Sequence, residues 1–569
     1  LSIPRRIWTK DQTAEIVDRM TEAHRVPGST ARLRPLQAIA LAEIAMFGGA
    51  HIGIPVGGGK TLTQLLAPKM LKKVQRPLFL NPAHLIEKTE REAAEYRRDW
   101  VLPAFYRIES YQTLSRVSKA DFLDQYMPDL IVCDEAQFVK TPGAGVTKRV
   151  FRYLKANPGC VVVFMTGTPF GVSLRDFAHQ MKAALGDGSP VPHTYLDLDE
   201  WCRALDADTP EQKALGFGAL HALDPVDPVK GFQQRLYTCP GVILSQDPPL
   251  DIPIHIEAHE APQDEAIEEA IKRLRQDWIT PDGIECRDGV EVWRHAREIA
   301  TGFYSVWTPR PPVEWAAPRS AWARECREIL SSNRRDLDTE EQLIRHMQAE
   351  PGHYPEALAT YLAWKEVEPT FIPNPVPYWI SDKVIDWIVK WSKKSPGLIW
   401  TDRPAVGARL AARGLCYYGL DGVDAKTGKR TEEHDPSVSC VLGRKSNDSG
   451  RNLQAWRRNL VIDIPSRGTD WEQLIGRTHR PGQRAERIDV SLLFGCLEDV
   501  EAFWKAHGRA LRAQEITGQA QKLCQADLSC VTEVTELDSR EWRWKKTKPP
   551  KDSVASDNVQ KALARLMMQ

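Results

Sequence analysis

The segment His51–Thr61, HIGIPVGGGKT, runs an apolar stretch into three glycines followed by Lys60 and Thr61. Glycines at Gly57, Gly58 and Gly59 let backbone N–H groups approach phosphate oxygens with no Cβ in the way. The start of the helix expected next adds a dipole favourable to anions. Lys60 is then placed to neutralise the β- and γ-phosphates of a nucleotide, and the Thr61 hydroxyl to ligate Mg²⁺. The strict G-x4-G-K-[ST] form is not met, because Ile54 stands at the first glycine position. A second segment, DLIVCDEAQ (Asp129–Gln137), sets Asp134 and Glu135 at the end of an apolar strand. Asp134 suits the carboxylate that holds Mg²⁺, directly or through water, and Glu135 the base that orients an attacking water. Alone, the first could be a glycine-rich turn and the second an acidic one. Together and in this order they point to nucleotide hydrolysis.

Such groups need rigid strand ends to hold them. Two regions read as alternating strands and helices. The first, about 30–245, contains PLFLNP, DLIVCDE and VVVFMTG; the second, about 378–505, contains GLIWTD, LCYYGLDG, VSCVLG, NLVIDIP and IDVSLLF. Near-continuous apolar strands separated by helices predict parallel α/β sheets. Between the two regions, segments such as Asp264–Asp277, Val290–Thr301 and Ala321–Ser332 are helical in period and rich in charge. Breaks at Pro309, Pro311, Pro312 and at Pro373, Pro375, Pro377 interrupt them. The end of the chain carries REWRWKKTKPPK and a short amphipathic piece, Val559–Met568, read as a basic tail with a small helix.

Composition bounds the answer. At about 150 residues per domain, 569 residues would make roughly four units. An apolar content of 42% supplies real cores, and no apolar run approaches the roughly 18 residues of a membrane span. Lys+Arg and Asp+Glu are both 76, a net charge of +0, which excludes a protein held to nucleic acid by its overall field. A basic cleft remains compatible with that total, with basic residues on the face crossing both sheet regions and acids on the insertion and outer helices. The 11 cysteines are odd in number and contain no C-x-x-C pair. That argues for reduced thiols, a buried free Cys133, a cytoplasmic location, and against a disulfide framework or a cysteine-based zinc site. The first residues, LSIPRRIWTK, lack an initiator Met and a signal-peptide core, and read as a trimmed start. Five of the 18 tryptophans, Trp278, Trp293, Trp307, Trp315 and Trp322, fall in the region between the sheets. They are read as helix-packing residues in preference to base-stacking ones.

Taken in order, the motifs resemble those of superfamily-two helicases, and most closely the Swi/Snf-type branch of DNA translocases. LRPLQ (Leu33–Gln37) resembles the family's adenine-reading element, with Gln37 as the reader. LNPAH (Leu80–His84), IESYQTL (Ile108–Leu114), DEAQFVKT (from Asp134, with Lys140) and FMTGTPF (Phe164–Phe170) resemble its motif Ia, S-Y-x-x-L element, D-E-A-H box and motif III. In the second region, ISDKVIDWI and GLIWTD resemble the opening of the second lobe. YYGLDG with Arg430 resembles the L-D-G…R segment, SGRNLQAWRRNLVID resembles motif V, and WEQLIGRTHRPGQ (Trp471–Gln483) resembles Q-A-x-G-R-x-H-R-x-G-Q. This last motif is the most specific. Its Arg477 and Arg480, three apart, would share one helix face and reach across a cleft to the γ-phosphate. Departures are Gln137 for the usual His, Ile54-Pro55-Val56 before the glycines, Lys88 near a usual Trp, and Arg451 for a small residue.

The resemblance implies an α/β protein of two RecA-like parallel-sheet lobes with helical insertions, binding ATP and Mg²⁺ at their interface. Expected bounds are an extension at 1–29, lobe one at 30–245 with a helical insertion at about 171–235, and a connecting segment and helical protrusion at 246–377. Lobe two would cover 378–510 and a C-terminal helical segment with basic tail 511–569. Implied nucleic-acid contact or coupling residues are Pro82, His84, Ser110, Tyr111, Gln137, Thr166, Thr168, Thr401, Asn452 and Gln473. HAREIATGFYS (His295–Ser305) resembles a helix of the family's protrusion over duplex DNA, and GVILSQDPPLDIPIH (Gly241–His255) its lobe-connecting segment. In strand-separating relatives a wedge hairpin often lies between motifs V and VI. Here Asn452–Gln473 is short and filled largely by the strand NLVIDIP, which favours movement along duplex DNA over unwinding. The alternatives are a strand-separating DNA or RNA helicase, and a nucleotide-gated DNA-binding subunit of a larger defence or replication complex. The partner expected is duplex DNA, with no membrane, for a monomer or a subunit of an assembly that includes a protein partner. A bacterial or phage-encoded chain would be cytoplasmic and a eukaryotic one nuclear.

Overall fold

The computed structural model describes residues 6–531, apart from 56, 169–172, 207–223, 225, 246–249, 263, 333–336, 420–421 and 448–449. The basic tail, the piece Val559–Met568, the end of FMTGTPF, Leu420-Asp421 and Ser449 lie outside the described residues.

The first sheet contains β1 (Ala50–Gly53), β2 (Pro77–Asn81), β3 (Arg107–Ser110), β4 (Leu130–Asp134), β5 (Val161–Thr166) and β6 (Val242–Leu244). Their order is β3-β2-β4-β5-β1-β6, and every pairing is parallel. The unbroken apolar strands follow from burial of both faces. Along β4, Leu130 and Val132 enter one core with Leu41, Ile52 and Leu65, while Ile131 and Cys133 enter another with Leu114, Val150 and Phe164. Cys133 is a fully buried free thiol, as expected. The helix Lys10–His24 packs Ile16 and Val17 into the first of these cores, so the described part of the expected extension at 1–29 belongs to this sheet unit. Parallel strands end on one edge of their sheet, where loops can build a site. The register sets Gly53 beside Thr166, and Asp134 beside Met165, at that edge.

The next strand, β7 (Ile254–Glu260), precedes an antiparallel ribbon of β8 (Phe303–Trp307) and β9 (Pro375–Trp379). The second sheet is completed by β10 (Leu398–Thr401), β11 (Cys416–Tyr418), β12 (Cys440–Gly443), β13 (Arg458–Val461) and β14 (Ile488–Phe494), in order β11-β12-β10-β13-β14-β7. It is also parallel and covered on both faces, with Trp400, Leu442 and Val490 on one side and Ile399, Val441 and Leu460 on the other.

Two expected boundaries are corrected here. β7 pairs with β14 along its whole length, Ile254 with Ile488 through Glu260 with Phe494, so the second sheet begins inside the stretch assigned to the connecting segment 246–377. IHIEAHE alternates instead of running apolar because β7 is an edge strand, which escaped a search for buried runs. The helix Leu497–Thr517 crosses the expected boundary at 510 unbroken, and the chain then returns to β7, where Ile256 N–H donates to the Asp527 carbonyl at 3.0 Å. Pro375 and Pro377, read as breaks, lie in β9. That strand is paired on one side only, which a missing N–H tolerates.

The remainder of the insertion is helical. Gly289–Ala300, Val313–Ser331, Glu340–Ala349 and Pro355–Val367 are its main helices. Trp315, Trp322 and Trp364 are buried in the core shared by the last three, with Trp315 edge-on to Trp307 at 5.5 Å and to Trp364 at 4.9 Å. These rings pack helices, as expected. Among the described residues no helix is long and apolar enough to cross a membrane.

Candidate active site

β1 ends at Gly53, and the chain passes through Ile54 and Pro55 into the glycine turn before the helix Lys60–Leu66. Gly57 (φ +83°) and Gly59 (φ +91°) adopt the left-handed conformation that disfavours side chains. Space is equally restrictive: a Cβ on Gly58 would lie 2.4 Å from Ile54 Cγ2, and one on Gly59 2.2 Å from Gln37 Nε2. Gln37 is buried and braces the turn. Its Nε2 donates to the Gly59 carbonyl at 3.0 Å, and its Oε1 accepts from Arg34 N–H at 2.9 Å. The Arg34 guanidinium donates to the Gly57 carbonyl at 2.6 Å. Thr61, half-buried, is the second residue of the helix.

At the edge of β4, Glu135 takes a left-handed conformation (φ +53°, ψ +57°). For a non-glycine residue that costs about 1–2 kcal/mol, and such strain clusters at functional sites. The kink is accompanied by a salt bridge from Lys60 Nζ to Glu135 Oε1 at 3.2 Å, both side chains being largely buried. Gln137 Nε2 donates to Glu135 Oε2 at 2.8 Å, and Gln137 Oε1 accepts from Thr166 Oγ1 at 3.0 Å. Thr168 N–H donates to Thr166 Oγ1 at 3.1 Å. Gln137 therefore uses its donor and its acceptor together, one toward the acid and one toward the end of β5. Burial, reinforced by the neighbouring Glu135 charge, pushes the Asp134 carboxyl up from its usual range. Burial would do the same to Glu135, but the Lys60 ammonium, the Gln137 hydrogen bond and Arg477 hold it below the usual range.

The opposite wall comes from the second sheet unit. The helix Gly468–Thr478 carries Arg477, which is buried; Arg480 lies beyond the helix end, so the two do not share one helix face. They converge differently. Arg480 donates to the Arg451 carbonyl at 2.8 Å, and Arg477 to the same carbonyl at 3.4 Å and to the Gln473 carbonyl at 3.0 Å. The turn after them meets the glycine turn, and a Cβ on Gly57 would lie 3.0 Å from Pro481 Cδ and 3.5 Å from Arg480 Cβ. Lys88 joins this cationic group. Burial lowers its ammonium from the usual value, with Arg477 and Arg480 adding to the effect and Glu92 opposing it.

Compared with protein-family models and with curated proteins, the chain matches none.

Beside this contact lies a cleft cavity of about 330 Å³, lined from the first unit by Glu135, Gln137, Thr166 and Thr168 and from the second by Arg444 and Gln473, among others. Charges along it are mixed. Arg444 pairs with Asp402 at 2.6 Å and with Asp470 at 3.1 Å. The insertion, expected to be acidic, holds 23 acids against 14 lysines and arginines over 255–375, and its Arg287 and Arg319 are paired with Glu340 and Glu291. Acids are thus in excess on the insertion, as expected, while along the cleft individual ion pairs match charges locally.

The expected contact residues divide. His84 and Asn452 are exposed. Pro82, Ser110, Tyr111 and Thr401 are buried, and their interactions are internal. Ser110 Oγ caps the helix Tyr111–Ser115 by accepting from Thr113 N–H at 2.9 Å, and Thr401 donates to Asp463 Oδ2 at 2.7 Å. Tyr111 lies flat on Phe138 and donates its hydroxyl to the Asp134 carbonyl at 2.7 Å. These residues position strand ends, and as placed they are not an open surface for nucleic acid. Sequence reasoning missed Arg34, the anchoring role of Tyr111, and the Arg451 carbonyl. Arg34 stood inside LRPLQ and could have been noticed; a carbonyl leaves no side-chain signature.

Proposed function

We propose that the chain is an ATP-driven DNA translocase of the Swi/Snf type, with the two sheets as RecA-like lobes and ATP bound between them. The observation that carries this reading is the meeting of the glycine turn, with Lys60 paired to Glu135, and Arg477 and Arg480 from the other sheet unit. A tight glycine cradle with a buried lysine and two buried acids suits a Mg²⁺-nucleotide. Thr61 and Asp134 would hold the ion, whose chemistry is to neutralise charge developing on the phosphates.

In the arrangement described, Glu135 occupies Lys60. Phosphate entering the cradle competes for that ammonium and releases Glu135 to orient water. Glu135 leaves Gln137 with a broken partner, and the Gln137–Thr166–Thr168 chain passes that change to the end of β5. Arg477 and Arg480 supply positive charge to the leaving phosphates from the opposite wall. Repeated closing and opening of the two units on their nucleotide would move them along a strand.

ATPase rates measured in parallel with duplex DNA, single-stranded DNA and RNA at matched salt test this reading. Duplex DNA should stimulate most. Strongest stimulation by RNA overturns the duplex assignment in favour of a helicase, and absence of hydrolysis under all three overturns the enzyme. Displacement of a triplex strand without separation of the duplex would distinguish translocation from unwinding.

A further inference from the structure

We propose that His346, Glu350 and His353 form a binding site for a divalent transition-metal ion, with zinc the ion their chemistry fits best. The site lies in the helical insertion and is independent of the nucleotide reading. His346 is in the last turn of the helix Glu340–Ala349, and Glu350 is its C-terminal cap residue. His353 N–H donates to the Glu350 carbonyl at 3.1 Å, folding the following turn back toward the helix. One ligand atom from each of the three side chains falls within 4.8 Å of the others. The two imidazole rings are nearly parallel (8°) with centroids 5.6 Å apart, and Glu350 already pairs with His353 Nδ1.

Zinc binds imidazole nitrogen and carboxylate oxygen at about 2.0–2.2 Å, which sets tetrahedral ligand atoms about 3.4 Å apart. Rotation of side chains, without movement of the helix, covers the remaining distance. Two imidazoles and one carboxylate favour zinc, nickel or copper over magnesium and calcium, which prefer all-oxygen sites. The same helix buries Leu343 and Met347 in the tryptophan core. His346 also lies edge-on to Tyr354, immediately before the helix Pro355–Val367. A bound ion would therefore fasten the turn joining two core helices, with water completing its coordination.

The test uses the full chain, stripped with a chelator and titrated calorimetrically with zinc chloride, with magnesium chloride as control and cobalt(II) as a spectroscopic probe. One equivalent of zinc should bind, and cobalt should give visible bands without thiolate charge transfer. His346→Ala/His353→Ala should weaken zinc binding by more than about tenfold, with an unchanged circular dichroism spectrum. Glu350→Gln, a smaller change, should weaken it less and guards against misfolding of the double variant. The proposal is overturned if the wild type binds no zinc or if the double variant binds equally well. A dominant thiolate band would likewise overturn it, by assigning the ion to the free cysteines.

Discussion

The two six-stranded sheets are built alike and equipped differently. Both are parallel, both bury apolar residues on each face, and both open loops at the carboxyl ends of their strands. At the first sheet's edge stand a glycine turn, one lysine and two acids in succession. Facing them, the second unit offers Arg477 and Arg480, held by one backbone carbonyl. A site divided in this way is complete only when both units contribute. In the proposed reading, the phosphate- and metal-binding groups and the water-orienting Glu135 sit on one side, and the two arginines on the other.

The sharpest way to break this comparison is to disarm the second unit alone. Arg480→Ala, and separately Arg477→Ala, should lower kcat for ATP by about 10³-fold while fluorescent-nucleotide affinity stays within a few-fold. An unchanged rate in both would mean that the second wall has no part in hydrolysis. Disarming the first unit should look different. Glu135→Gln is expected to cut kcat by about 10²-fold or more with nucleotide still bound, whereas Lys60→Ala should lose binding as well. If the two variants behave identically in a binding assay, the separate roles given to this pair are wrong. Thr166→Val probes the connection away from the acid. Steady-state rates should show a larger drop with DNA than without it, and an equal drop in both would disconnect Gln137 and Thr166 from coupling.

The insertion sharpens the contrast by answering to stability more than to chemistry. Trp322→Ala removes a wholly buried ring whose Nε1 donates to Glu340 Oε1 at 2.7 Å. It should destabilise the protein by about 3–5 kcal/mol, read by denaturant unfolding of the insertion's fluorescence. A smaller, pH-dependent effect is expected at Glu291. Burial would raise its carboxyl, but Arg287 outweighs burial and lowers it from the ordinary 4.5 to about 2. A depressed value stabilises the fold above pH 4.5, and that contribution is lost as pH falls through about 2. The stability difference between wild type and Glu291→Gln should shrink across that window; a constant difference would remove the ion pair as its source.

Chemistry and periodicity made most of the frame legible. GGGKT and DLIVCDE marked the glycine cradle and the acids because phosphate-binding turns and strand-end carboxylates depend on residue type at short spacing. The apolar runs marked eight of the twelve strands of the two sheets for the same reason, local burial on both faces. β7 was not legible, since an edge strand alternates and its partner β14 lies far along the chain. The inward turn of Ser110, Tyr111 and Thr401 was not legible either, because a motif names a residue but not the direction of its side chain.

By itself the sequence determined which groups are available: a flexible glycine turn, Lys60, two adjacent acids, two arginines and enough apolar strand to build two sheets. Tertiary structure alone decided that Lys60 rests on Glu135, that Gln137 links that acid to Thr166, and that Arg477 and Arg480 meet at the Arg451 carbonyl opposite Gly57. The physical reason is range. Backbone conformation and apolar burial are set within a few residues, whereas ion pairs and hydrogen bonds across a cleft depend on how separately folded sheets come to face one another.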